Sequence, residues 1–172
     1  YKRNKNLHGL ILFRHGIFTF ADQAEISYKR MTSAVSKAEK FLRKEKVKKI
    51  PRINMNNLNI SASEVAPILR KHCSINRDYV INFRKNKILL NNINCKNIES
   101  YLSEGVITPD HVIRTKPKPL IMNLNHFKNI NSMEKYISHK FLLFKKDYVK
   151  YFNTNKPRKK LKMLDTVPQI IL

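Results

Sequence analysis

Six histidines are spread along the chain, and two of them stand where chemistry is possible. His15 interrupts an apolar, β-branched and aromatic run, GLILFRHGIFTF at 9–20, beside Gly16, one of only three glycines. A neutral imidazole at such a break can ligate a divalent cation, and the glycine lets backbone or substrate come close. The bland alternative is a histidine satisfied inside a core. The second set is GVITPDHVIRTK at 105–116, where a rigid Thr108-Pro109 turn displays Asp110, His111, Arg114 and Lys116 within seven residues. Asp110 or another carboxylate can orient His111, while Arg114 and Lys116 can hold a phosphate or carboxylate. In an extended segment His111 and Arg114 would face opposite sides. The bland alternative here is a Pro-rich crossing loop pinned by surface ion pairs. His8, His72, His126 and His139 stand alone, and no His-x-His occurs. One histidine cannot make a zinc site that needs about three protein ligands.

The elements around these residues follow from periodicity. Residues 9–20 predict a strand pair, or one strand bent sharply at Gly16. Ala24, Tyr28, Met31, Val35, Ala38 and Leu42 recur at helical steps over 22–44. They predict an inward stripe, with Lys29, Lys37, Lys40 and Lys44 outside. Asp22 is the expected N-cap, and Glu25 completes a capping-box spacing. A polar, Asn-rich loop is expected over 45–60. Ser61 or Ser63 is expected to cap a short helix through Ile68, Leu69 and His72, with Pro67 tolerable only near its first turn. Loose alternation over 79–90 predicts a hairpin. Residues 96–104 predict a helix with Ile98, Tyr101 and Leu102 inward and Gly105 as its stop. Prolines 109, 117 and 119 predict an extended segment over 106–120. A second long helix is expected over 132–152, through Met133, Ile137, Phe141, Phe144 and Tyr148. A basic linker at 156–160 then leads into a strand-like end.

The bulk numbers bound the function. At 172 residues with 42% hydrophobic side chains, the chain can bury one sizeable core. A formal charge of +23 raises nucleic-acid binding, because a basic surface releases counterions from phosphates. The basic residues run from Lys2 to Lys162 without gathering into one arm, and Asn and Ile are as over-used as Lys, a pattern that AT-rich coding produces. The long-helix aromatics Tyr28, Phe41, Phe144 and Tyr148 are expected in the core, which disfavours an RNA-binding face. Cys73 and Cys95 are too few for a disulfide framework and fit two buried thiols in a reducing cytoplasm. No apolar run approaches the ~18 residues that span a bilayer. The chain starts at Tyr1 and stops at Ile170-Ile-Leu172, which reads as a piece cut at both ends.

The segment at 8–42, HGLILFRHGIFTFADQAEISYKRMTSAVSKAEKFL, resembles the metal-site strand and following helix of the class II aldolase/adducin domain. EGVITPDHVIRTKPKPL at 104–120 and DYVKYFNTNKPRKKLKMLDTVPQIIL at 147–172 look like the later part of bifunctional aldolase/short-chain dehydrogenases, a group that includes bifunctional rhamnulose-1-phosphate aldolase/alcohol dehydrogenases. The resemblance runs in order over nearly the whole chain. Ala21 stands where that group usually has glycine, and Thr166 and Gln169 depart from its LDPxPR-like pattern.

The resemblance implies a three-layer α/β/α fold around a mainly antiparallel sheet, incomplete in this piece. Residues 1–155 would be the C-terminal part of the aldolase/adducin-like domain. Residues 156–172 would be a basic linker toward an NAD-dependent dehydrogenase domain. It further implies a divalent metal, usually zinc, with His15 matching the later histidine ligand and an acid/base glutamate upstream. The metal would polarise a ketose carbonyl and stabilise the enediolate formed on carbon–carbon cleavage. A ketose 1-phosphate of the rhamnulose-1-phosphate kind would then give dihydroxyacetone phosphate and an aldehyde. The expected partners are a sugar phosphate and further copies of the chain in a cytoplasmic homo-oligomer. The competing readings are a basic RNA-binding or ribosome-associated protein and a non-catalytic adducin-like module.

Overall fold

The apolar run at 9–20 folds as the first of its two alternatives, a strand pair. β1 (Gly9–Leu12) and β2 (Gly16–Thr19) run antiparallel, with Leu10 opposite Phe18 and Ile11 opposite Ile17. The polar break supplies the turn. Arg14 is left-handed at φ 57°, Gly16 lies at φ 151°, and the His15 amide donates to the Leu12 carbonyl at 3.0 Å. Gly9 carries no Cβ for a steric reason, since one there would sit 2.5 Å from the Phe18 carbonyl oxygen. The computed structural model describes residues 6–45, 61–75, 77–156 and 161–172. The loop expected over 45–60 and the linker at 156–160 lie almost wholly outside the described residues. The chain divides into two units, residues 1–50 with 107–109, and residues 51–106 with 110–172.

In the first unit α1 (Ala24–Lys44) follows the hairpin. Its N-cap is Gln23, without a side-chain cap bond, so the Asp22 capping box is not formed. The helix is tied to the hairpin by reciprocal bonds instead. The Thr19 hydroxyl donates to the Ser27 carbonyl and the Ser27 hydroxyl to the Thr19 carbonyl, both at 2.9 Å, while Arg30 donates to the Phe20 carbonyl at 2.6 Å. The expected inward stripe is a correction. No α1 residue is buried, and Tyr28 and Leu42 are 70% and 61% exposed. The half-buried side chains of α1 are Ser27, Arg30, Met31 and Ala34.

The second unit is built on α2 (Ala62–Cys73) against α6 (Ile130–Asn155). Ser61 caps α2 in a full capping box with Glu64. The helix continues through Pro67, well past its first turn, contrary to expectation. A proline there donates nothing to the carbonyl four residues back and costs one helical bond. The burial that offsets it is Val65, Ile68 and Leu69 packed on Met133 and Ile137, the last two fully buried. Each such side chain contributes roughly 1.5–3 kcal/mol on leaving water. α6 matches its predicted span within a turn or so.

Between these helices the sequence reading fails twice. The hairpin expected over 79–90 is an irregular stretch followed by α3 (Lys87–Ile93), because the Asn86 side chain accepts from the Leu89 amide at 2.7 Å and starts a helix. The extended segment expected over 106–120 contains α5 (Pro109–Thr115). Pro109 occupies the first helical position, where its missing N–H costs nothing. α4 (Ile98–Ser103) forms as expected and Gly105 ends it at φ 81°, although Tyr101 points outward at 52% exposure. The strand-like end pairs in parallel through a Leu120–Ile171 bridge. Leu120 and Met122 donate to Ile170 and Leu172, and the Leu172 amide returns a bond to Leu120. The described residues are thus a mixed α/β chain, mostly helical, with one small antiparallel sheet. Cys73 and Cys95 are both buried and free, and no described helix is long and apolar enough to cross a membrane.

Candidate functional site

His15 occupies the last position of the β1–β2 turn and is exposed, its ring centroid 5.6 Å from that of Phe18. The nearest histidine in sequence, His8, lies at the open end of the hairpin, roughly 13 Å away by strand rise. The hairpin therefore cannot bring both imidazoles to one ion. A cleft of about 460 Å³ lies between hairpin and α1, lined by His8, Ile17, Ile26, Ser33 and Lys37 among others, and His15 does not line it. Among the described residues no three His, Cys, Asp or Glu side chains are placed to hold a metal. His15 presents a donor and no cage.

The TPDHVIRTK set changes character because it is helical. His111 and Arg114 stand three residues apart on α5, which puts them on one exposed face. The expectation of opposite faces rested on an extended backbone and is corrected. Lys116 parts from them. It lies just past α5 in the left-handed region at φ 71°, and its side chain is 3% exposed, not displayed.

Burying that ammonium requires a partner, and the partner is distant in sequence. Lys116 Nζ lies 3.3 Å from Asp165 Oδ1 and 4.9 Å over the Tyr148 ring. Asp165 also accepts from the Val167 amide at 3.1 Å and faces Arg77 at 3.5 Å. Arg77 in turn lies over the Tyr79 ring at 4.6 Å. Burial, with Asp165 and Tyr151 adding to it, pushes the Tyr148 phenol above its ordinary range. Sequence reasoning missed Asp165 and Arg77. One signal was available: with 12 acidic side chains against 35 basic ones, any carboxylate beside an apolar segment has cations competing for it.

Residues 60–172 match the family model described as aldolase class II, second domain. A Bacillus subtilis (strain 168) protein, uncharacterized oxidoreductase YuxG, is 18% identical over 180 residues, covering 98% of this chain and 26% of that protein. The chain thus spans about a quarter of that relative's length. No solved structure matches it. With the family model covering well over half of its residues, the chain belongs to the class II aldolase family, and residues 60–172 match that family's second domain.

Proposed function

We propose that the chain is part of a metal-dependent aldolase that cleaves a ketose 1-phosphate to dihydroxyacetone phosphate and an aldehyde. The single observation that carries this reading is an exposed imidazole, His15, at the turn of the HGIFTF hairpin, in a chain that continues into the second domain of the family. The described residues do not by themselves fit a complete zinc site, because one imidazole is short of the usual three protein ligands. In this reading His15 is one ligand, and the other ligands and the acid/base glutamate come from outside these residues, within a three-layer α/β/α domain. His111 and Arg114, on one face of α5, are assigned to the substrate phosphate. Lys116, drawn to Asp165, holds the end of that helix. A sugar-phosphate substrate, a homo-oligomer and a fused NAD-dependent dehydrogenase complete the proposal, the last supported by the oxidoreductase name of the B. subtilis relative.

The test is His15→Ala in the intact parent polypeptide, with zinc content and retro-aldol rate measured together. His15 is exposed, so the substitution should leave the circular dichroism spectrum unchanged while metal occupancy and rate both fall. Full metal occupancy in the variant removes His15 from the site.

One observation favours the competing polyanion reading. Tyr28 and Phe41, expected in the core, are 70% and 63% exposed on α1, which also carries Lys29, Lys37, Lys40 and Lys44. Aromatics beside lysines on an exposed helix suit a nucleic-acid surface. A salt titration against a generic single-stranded RNA decides it, since phosphate binding must fall steeply with salt.

A further inference from the structure

A second convergence of polar groups, unused by the proposal above, lies wholly within the second unit. A groove of about 220 Å³ runs between the end of α2, the middle of α6 and the C-terminal tail. Ile75, Phe141, Leu142 and Val167 give it an apolar lining, and His72, Ser138, Lys145 and Thr166 are its polar groups. Among the described residues no carboxylate lines it. The two nearby acids are engaged elsewhere, Glu134 with Lys71 at 2.8 Å and Asp165 with Lys116 and Arg77.

The imidazole of His72 is held by two contacts. Its ring stacks on Phe141 with centroids 5.1 Å apart at 29°, and its Nε2 lies 2.9 Å from the Ser138 hydroxyl oxygen. That hydroxyl donates its one proton to the Glu134 carbonyl at 2.8 Å, so toward His72 it can only accept. That arrangement fits the neutral ring that carries its proton on Nε2. A mostly apolar groove with a few convergent polar groups is the usual form of a small-molecule site.

We propose that this groove binds a small oxyanion on a short body, a phosphate monoester or a carboxylate of a few carbons, with Lys145 and Thr166 at the anionic end and Phe141 and Leu142 against the body. Its volume falls below the ~300 Å³ of drug-sized sites, which sets the ligand size. The charges acting on His72 are Lys71 on its own helix and Glu134 on α6; Ser138 bonds it, and Lys145 on α6 and Thr166 on the tail line the same groove. Burial first and then Lys71 hold the ring below the ordinary imidazole range, while Glu134 opposes them. An anion in the groove acts in the same direction as Glu134 and raises the ring's proton affinity.

The experiment is an NMR titration of the full chain with ¹⁵N-labelled imidazoles. Glycerol 1-phosphate and butyrate are the anionic probes, with glycerol and sodium chloride as controls. At about 10 mM a site with a Kd near 1 mM is largely filled. The expected result is an Nε2-protonated His72 in the free chain. Its midpoint should rise about tenfold in proton affinity with one or both anions and stay unmoved with glycerol or chloride. The response to phosphate against butyrate names the oxyanion. Lys145 is exposed, so Lys145→Gln leaves the fold intact and should weaken the response about tenfold, as loss of one charge-assisted contact does. An unmoved His72 with both anions, an equal shift with sodium chloride, or an undiminished response in K145Q overturns the proposal. None of these outcomes bears on His15.

Discussion

Replacing Asp165 by asparagine keeps the shape of the side chain and removes its charge, leaving Lys116 buried without its counterion. At 3.3 Å two unit charges attract by about 5 kcal/mol at an effective dielectric constant near 20. Much of this is offset by the cost of taking the pair out of water. A one-sided loss costs ~3–5 kcal/mol for a fully buried pair and ~0–1 kcal/mol for an exposed one. The Lys116 side chain is 3% exposed and that of Asp165 33%, so this pair lies between the limits. The Tyr148 face, 4.9 Å from the ammonium, retains roughly 1 kcal/mol of cation–π attraction in the variant. The expected cost of Asp165→Asn is therefore about 2 kcal/mol by urea denaturation. Lys116→Met removes the charge and keeps the apolar stem, so it should cost under about 1 kcal/mol. The double variant should lie close to Lys116→Met alone, a coupling of roughly 1–2 kcal/mol. Amide exchange reports the same event locally. The Met122 and Leu172 amides, bonded to Leu172 and Leu120, should exchange faster in D165N, because Asp165 fastens the tail that carries that pairing. If D165N costs less than about 0.5 kcal/mol, or if the two substitutions add without coupling, the ion pair does not hold the tail and the reasoning is refuted.

Two other outcomes follow from the second unit. Ile137 is fully buried between α2 and α6, so Ile137→Ala should cost about 3 kcal/mol, against under about 1 kcal/mol for Leu143→Ala on the same helix at 41% exposure; denaturation midpoints at equal m-values check both. Glu64 is held below the ordinary carboxylate range by the Ser61 amide first and then the Ser61 hydroxyl, a depressed folded-state value. Its contribution to the start of α2 is therefore complete above the ordinary carboxylate range and is lost as pH falls through the lowered one. Protection of the Val65 amide, which donates to Ser61, should fall with acid in the native chain and lose that pH dependence in Glu64→Gln.

What was legible from the residues alone was what neighbours along the chain decide. α6 shows in the spacing of Met133, Ile137, Phe144 and Tyr148, α2 begins at Ser61, one of the two caps the residues offered, and Gly105 stops α4 because a left-handed residue costs glycine little. The turn at Arg14–Gly16 belongs to the same class, as one of the two forms those residues allowed, whereas the exposed position of His15 was left open against a place inside a core. α3 and α5 were misread although their signals, Asn86 and Pro109, were local: loose alternation in one and the prolines in the other outweighed a cap and a first-position proline. The rest required the tertiary structure. Lys116 meets Asp165 across 49 residues, His72 meets Ser138 across 66, and Leu120 pairs with Ile171; no periodicity spans such gaps. Nor could the apolar stripe of α1 reveal how little of it the hairpin covers. A side chain's type states what it can bond, and the path of the backbone decides which partner arrives.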